Sequence, residues 1–223
     1  MKHLGDITKI NGAKITPVDC ITFGAPCQDL SVAGARKGMK HEALGDDETT
    51  RSGLFFEAVR VIKEMREEDK RNGRTDQFIR PRYAVYENVP GAFSSNKGAD
   101  FQAVLTELVR IADSNAPDVP MPNGGKWSKS GCIYDEMGGW SVAWRVHDGQ
   151  FWGATQYIDG RTAILGTPQR RKRISIIADF GGLTGPEILF ESKGLSRHIK
   201  QSGAQGESTS GRTESGVGAA SEE

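Results

Sequence analysis

The sequence predicts an α/β domain with a mostly parallel sheet, and three observations carry that prediction. Short apolar runs at Cys20-Ile21-Thr22-Phe23, Tyr83-Ala84-Val85-Tyr86 and Ile174-Ser175-Ile176-Ile177-Ala178 have the length and character of buried strands. Two longer stretches, beginning near Ser52 and Asp100, carry apolar residues at helical spacing. Strands and helices alternate along the chain, which is the pattern of βαβ units.

Taken in order, residues 1–16 are short and polar, and Gly5-Asp6-Ile7-Thr8 reads as a strand end or a turn. The first strand stops at Gly24, and Pro26 fixes the backbone one residue before Cys27. Residues 31–50 are rich in Gly, Lys, Asp and Glu and read as a long active-site loop directly after the cysteine. Ser52 is placed to cap a helix that runs to about residue 68. Leu54, Phe55, Ala58, Val59, Ile62 and Met65 form its core face, and Arg60, Lys63, Glu64, Glu67 and Glu68 cover the other side. The charged run 66–74 reads as a solvated helix end and loop.

The second strand ends in Glu87-Asn88, and Pro90-Gly91 breaks the chain there. A second helix is expected over 100–112, with Phe101, Val104, Leu105, Leu108 and Ile111 facing the core. Prolines and paired glycines make 117–139 loop-like, and 140–146 alternates as a strand does. Residues 151–166 fit neither pattern clearly, and 173–180 is an apolar strand. Gly181-Gly182-Leu183-Thr184-Gly185 follows a strand, but Pro186 and the lack of an expected helix argue against a cofactor loop. From residue 194 the composition turns to Ser, Gly, Thr and Glu, which cannot bury enough surface to offset the entropy of ordering. The expected organisation is a catalytic-type domain over 1–193 and a disordered polar tail over 194–223.

The chain has 223 residues, 36% of them hydrophobic, and a mean hydropathy of -0.49, low for a chain packed throughout. Its formal net charge is zero, so no global basic field points to nucleic acid, and only local patches remain. The three cysteines, Cys20, Cys27 and Cys132, form no C-x-x-C pair and no disulfide framework. With no apolar signal segment and no run approaching the roughly 18 residues of a membrane span, a reducing cytoplasmic location is expected. No metal set is visible, and His41 and His147 have no ligand-like neighbours in sequence. Trp140, Trp144 and Trp152 read as core or rim aromatics.

Functional groups in α/β sheets gather at the carboxyl ends of strands, and Cys27 and Glu87 each follow one. An inert half-buried thiol is the ordinary reading of a lone cysteine. Here it must also account for Glu87-Asn88-Val89 and for the basic run Gln169-Arg170-Arg171-Lys172-Arg173 before the last strand. A thiolate adds to an electron-poor unsaturated carbon, and a carboxyl group protonates or holds the ring that receives the electrons. Arginines neutralise phosphate or grip a carbonyl oxygen. The set suits covalent activation of a heterocyclic base in nucleic acid.

Pro26-Cys27-Gln28, Glu87-Asn88-Val89 and Gln169-Arg170-Arg171-Lys172-Arg173 resemble, in order and context, the Pro-Cys-Gln, Glu-Asn-Val and Gln-x-Arg-x-Arg motifs of the C5-cytosine DNA methyltransferases. The resemblance covers about residues 5–180 and implies an incomplete Rossmann-like methyltransferase sheet. It implies that Cys27 attacks C6 of a cytosine flipped out of double-stranded DNA, that Glu87 holds the exocyclic amine and N3, and that Arg171 and Arg173 contact O2. C5 then takes a methyl group from S-adenosyl-L-methionine. By the same resemblance Asn88 and Gln169 orient neighbours, Gln28 and Ser31 face the DNA, and Asp6, Pro26 and Leu54 line the cofactor. The basic run also fits a solvated turn, and Asp6 and Leu54 also fit structural roles.

Two parts of the family pattern have no counterpart. The 23 residues before Gly24 contain no glycine-rich cofactor turn, and nothing after Phe180 resembles a target-recognition region. A fragment of a longer frame, one subunit of a split enzyme completed by another polypeptide, and a decayed remnant are all consistent with this. A non-catalytic DNA-binding or assembly module is a further reading. A cysteine hydrolase would need a histidine near Cys27, and none of the four histidines sits in a recognisable motif.

Overall fold

The computed structural model describes residues 3–25, 53–149, 153–158, 161–166 and 170–190, and for the two strands inside 153–166 the backbone alone. Strands β1 (Cys20–Phe23), β2 (Tyr83–Asn88), β3 (Ser130–Tyr134), β4 (Ser141–Asp148) and β7 (Lys172–Asp179) form one five-stranded sheet in the order β1-β2-β7-β4-β3. Strands β5 (Gly153–Ile158) and β6 (Arg161–Gly166) pair only with each other, antiparallel. The helices are α1 (Gly53–Arg71), α2 (Ala99–Ala112) and α3 (Thr184–Phe190).

The α/β class holds, but the expectation of a mostly parallel sheet is corrected. Only β1 and β2 run parallel, and β2–β7, β4–β7 and β3–β4 are all antiparallel. A parallel neighbour needs a long crossover, and α1 supplies one between β1 and β2. After α2 the chain instead folds back through the β3–β4 hairpin, and β7 then inserts antiparallel between β2 and β4.

One sheet face is covered by α1 and α2. Phe55, Val59 and Ile62 of α1 and Phe101, Leu105 and Leu108 of α2 are buried against Ala84, Tyr86, Val142, Trp144, Ile174 and Ile176. The rings interlock, with Phe55 and Tyr86 centroids 5.2 Å apart and Phe101 and Trp144 centroids 5.8 Å apart. Period-two alternation places Tyr83, Val85 and Glu87 on the opposite face. There α3 covers one end, where Ser141 Oγ donates to Gly182 O at 3.0 Å and Tyr83 OH meets Thr184 Oγ1 at 3.0 Å.

The N-terminal segment forms two short turns, Ile7–Lys9 and Gly12–Lys14, pinned along α1. Arg60 donates to the carbonyls of Ile10 at 2.9 Å and Ile7 at 3.1 Å, and Glu64 accepts the Gly12 amide at 2.7 Å. A Cβ on Gly12 would come within 2.2 Å of Val61 O, so this contact requires glycine.

Several local expectations change. The first strand is not fully buried, since Cys20 and Thr22 are exposed, and its outer edge is unpaired among the described residues. Helix α1 continues to Arg71, and the charged run is not simply solvated, because Arg66 and Asp69 are 4% and 2% exposed. Arg66 crosses over to donate to the carbonyls of Ile79, Pro81 and Phe180, at 3.1, 2.5 and 3.3 Å. Asp69 accepts the Arg80 amide at 2.8 Å and pairs with the Arg74 and Arg80 guanidinium groups. β3 lies within the stretch expected to be loop. Helix α3 forms despite Pro186, which sits in its first turn, where a missing N–H leaves no bond unmade. The Ser52 cap, the 31–50 loop and the 194–223 tail lie outside the described residues.

Candidate active site

The parallel pairing of β1 with β2 sets Phe23 opposite Tyr86, so the next residue of β1's chain, Gly24, arrives beside Glu87. The position a Gly24 side chain would occupy is 3.3 Å from Glu87 Oε2 and 3.6 Å from Glu87 O. Gly24 and Ala25 therefore leave the carboxyl end of β1 next to the acid.

Glu87 faces away from the helices because Ala84, Tyr86 and Asn88 fill the alternate, buried positions of β2. Its side chain is 50% exposed, and its Oε1 takes Arg173 Nε at 2.6 Å. The second oxygen, Oε2, has no hydrogen-bond partner among the described residues. Arg173 is anchored in turn by Nη1 donation to Lys172 O at 2.9 Å. Asn88 points into the core, donating to the Tyr86 hydroxyl and accepting the Val89 amide at 2.7 Å. It thereby fixes the end of β2 just where Glu87 must be held.

The remaining expected positions divide. Arg171 is exposed, and its backbone closes the β4–β7 end: its amide donates to Asp148 Oδ1 at 3.3 Å and its carbonyl accepts from Gly149 at 2.9 Å. Asp6 lies on the surface, where the Thr8 amide at 3.0 Å holds its carboxyl below the usual carboxylate range. Leu54 is half-buried in the first turn of α1, the helix to which the Asp6 segment is tied through Arg60. Pro26, Cys27, Gln28, Ser31 and Gln169 lie outside the described residues. The structure thus brings Glu87 and Arg173 together and leaves Asp6, Leu54 and Arg171 away from direct contact with them.

Sequence reading passed over two residues here. Gly24, read from the sequence only as the end of the first strand, is one, since its Cβ position lies 3.3 Å from Glu87 Oε2. Arg145 is the other: the register Glu87–Ser175–Arg145 puts it on the same sheet face two strands away, with no carboxylate partner among the described residues. The alternation along β4 contained that signal. Cys20 is exposed on β1, where partial desolvation and the neighbouring Asp19 push its thiol up, away from thiolate. Among the described residues no cluster of His, Cys, Asp and Glu could hold a metal, and no helix is long and apolar enough to cross a membrane.

Residues 1–112 match the family C-5 cytosine-specific DNA methylase. The chain is 32% identical over 221 residues to a DNA N-6-adenine-methyltransferase of Escherichia phage P1, covering 88% of this chain and 25% of that protein. It is 36% identical over 96 residues to the orphan methyltransferase M.Rho11sI of Bacillus phage rho11s, 43% of this chain and 15% of that one. It is 34% identical over 211 residues to the type II methyltransferase M.AquIA of Picosynechococcus sp., 90% of this chain and 63% of that one. The chain spans a quarter or less of the length of the first two of these relatives.

Proposed function

The chain belongs to the C-5 cytosine-specific DNA methylase family, and from that premise we propose that it carries the catalytic centre for methylating C5 of cytosine in double-stranded DNA. The observation that carries this reading is the pair of Glu87 and Arg173, 2.6 Å apart at the carboxyl end of β2, beside the strand that leads to Cys27.

The cytosine is turned out of the duplex, because its ring faces are otherwise stacked. The Cys27 thiolate forms a bond to C6, and the electron pair of the C5–C6 double bond moves into the ring. Glu87 holds the exocyclic amine and N3. Its Oε2 is the oxygen left to do so, since Oε1 is taken by Arg173. Arg171 and Arg173 supply positive charge toward O2, where the developing negative charge spreads. The electron-rich C5 then acquires the methyl group, a base removes its proton, and the C6–S bond breaks to return the thiolate. Gln28 and Ser31 face the DNA, and Asn88 and Gln169 orient the strand ends.

S-adenosyl-L-methionine supplies an electrophilic methyl group. Asp6, Pro26 and Leu54 are the residues here that would hold it. The fit is supported by the exposed Asp6 carboxylate, which receives the Thr8 amide at 3.0 Å, and by the tie of that segment to the helix that Leu54 opens. A complementing methyltransferase polypeptide is the proposed partner. The outer edge of β1, unpaired among the described residues, and the exposed Cys20 and Thr22 are where further strands would add.

The test is transfer of labelled methyl from S-adenosyl-L-methionine to duplex DNA, by the chain alone and mixed with a polypeptide supplying the rest of a family member. Digestion to nucleosides separates 5-methylcytosine from N6-methyladenine, the base named for the phage P1 relative. Label in 5-methylcytosine, lost on Cys27→Ala, is expected. Label in N6-methyladenine, or transfer undiminished in Cys27→Ala, overturns the proposal.

A further inference from the structure

A groove of about 640 Å³ opens beyond the end of β2 and is unused by the chemistry above. Phe93 and Lys97 form one wall, and Gly124, Gly125, Lys126 and Trp127 the other. We propose that this groove binds a backbone phosphate of the substrate DNA, with Lys97 and Lys126 as its two cationic contacts.

The cations come first. The basic side chains of α1 and the loop after it are nearly all engaged: Arg60 with Glu57 and Glu64, Lys63 with Glu107, Lys70 with Glu67, Arg71 with Glu68, and Arg80 with Asp69. Lys97 and Lys126 are exposed and have no carboxylate partner among the described residues. Asp100, the acid nearest in sequence to Lys97, is buried and accepts from Ser95 at 2.5 Å. With a net charge of zero, the chain has no long-range field to draw DNA, so affinity must come from local cations of this kind.

The two walls are tied to each other by specific contacts. Asn96, Lys97 and Gly98 take φ values of 47°, 55° and 89°, and Gly124 and Gly125 take 76° and 69°. A left-handed non-glycine residue is disfavoured by roughly 1–2 kcal/mol and persists only where its surroundings fix it. Here each loop holds the other. Trp127 Nε1 donates to Gly98 O at 2.9 Å, and a Cβ on Gly98 would fall 2.8 Å from Gly125 O. Beneath them Phe93 and Trp127 both pack edge-on against Phe101, at 4.7 and 5.1 Å. The two ammonium groups are thus carried on fixed backbone, suited to a phosphate as point charges.

The groove's place selects the occupant. The turn Pro90–Phe93 follows Glu87-Asn88 directly, so the groove opens at the same end of the sheet as Glu87, on the side covered by α2. A strand whose nucleotide enters the Glu87 site has its flanking phosphates at that end. The inference rests on the cytosine-methylation reading for its occupant and on the lysine geometry for its site.

Duplex DNA binding by the whole chain, measured across salt concentrations, tests it. Each released counterion contributes about 0.9 to the slope of log K against log salt. The Lys97→Ala/Lys126→Ala double variant is expected to lower that slope by about 0.9, the share of one neutralised phosphate, equally for different sequences, while Lys63→Ala leaves it unchanged. An undiminished slope in the Lys97→Ala/Lys126→Ala double variant, with wild-type binding intact, overturns the groove and leaves the methylation reading standing. No salt-dependent binding by the wild type overturns the groove, and the methylation reading then rests on the transfer assay with the complementing polypeptide. Inorganic phosphate bound saturably and lost in the double variant, with the DNA slope unmoved, assigns the groove to a small anion and overturns the DNA contact.

Discussion

Arg173 reaches diagonally across the antiparallel β2–β7 pair to put its Nε 2.6 Å from Glu87 Oε1. Glu87 is directly opposite Ser175, and Arg173 lies two residues before Ser175 in β7, on the same face, within reach for a long side chain. One carboxylate oxygen is thereby committed and the other left open beside Gly24.

This pair is expected to matter for chemistry and hardly at all for folding. Half-exposed ion pairs contribute about 0–1 kcal/mol. Arg173→Ala should therefore lower unfolding free energy by less than about 1 kcal/mol in urea titration. Methyl transfer by the assembled enzyme should fall by about 10²–10³-fold, the magnitude of losing one preorganised charge contact. Wild-type rates in Arg173→Ala would remove this residue from the site.

Arg66 should behave in the opposite way. Burial lowers its pKa to about 10, yet the guanidinium stays charged near neutrality while serving three carbonyl groups. Its ring-side contact with Phe180, 5.2 Å to the centroid, ties α1 to the end of β7. Arg66→Ala leaves those buried carbonyls without a donor and should destabilise by about 3 kcal/mol. Arg66→Lys should recover only part, because an ammonium cannot span the fork. A variant as stable as wild type would show that water replaces the guanidinium.

Asp179 sets the acid limb of stability. Burial pushes its carboxyl up, but Arg82 at 2.8 and 2.9 Å, the Thr184 hydroxyl, and the Gly181 and Thr184 amides outweigh burial and hold it below the ordinary 3.8. A depressed folded-state pKa gives stability that is full above the unfolded value and lost as pH falls through the folded value. The wild type should lose this contribution progressively below about pH 4. Asp179→Asn should be about 3 kcal/mol less stable at neutral pH, since it leaves Arg82 facing a buried neutral group, and should show a flatter acid limb. Parallel pH–stability curves for the two proteins would rule out Asp179 as the source.

What the sequence disclosed followed the range of the physical signal. The core faces of α1 and α2 were legible because burial repeats every 3.6 residues, and Phe55, Ile62, Phe101 and Leu105 are indeed buried. The end of β2 was legible because Pro90-Gly91 punctuates it. Strand direction was not, since nothing local in Lys172–Asp179 records that it lies antiparallel between β2 and β4. β3 was hidden because Ser130–Tyr134 is short and set among prolines and glycines. Arg66 and Asp69 looked solvated because their partners, Phe180 O and the Arg80 amide, lie outside the local charged run. For the site, Glu87 and Arg173 were each visible as residues, but their contact needed the β2–β7 register.

Gly24 gives the sharpest separation of geometry from stability. Its neighbours at 3.3 and 3.6 Å are both part of Glu87, and the nearer is the free end of a side chain rather than backbone. A methyl group there needs Glu87 Oε2 to yield by a few tenths of an ångström, which the half-exposed side chain can do. Gly24→Ala should therefore change unfolding free energy by less than about 1 kcal/mol. The carboxylate cannot yield freely in catalysis, because Arg173 fixes Oε1 and the displaced oxygen is the one proposed to meet the base. Misplacement of a reacting contact by a fraction of an ångström to 1 Å lowers rates by up to about 10²-fold. The expected result is a fall of about tenfold to a hundredfold in methyl transfer with an unshifted melting temperature. Gly24→Ser is expected to fall at least as far, because its hydroxyl offers Oε2 a competing donor. Full activity in both variants would mean that Glu87 Oε2 does not hold the cytosine.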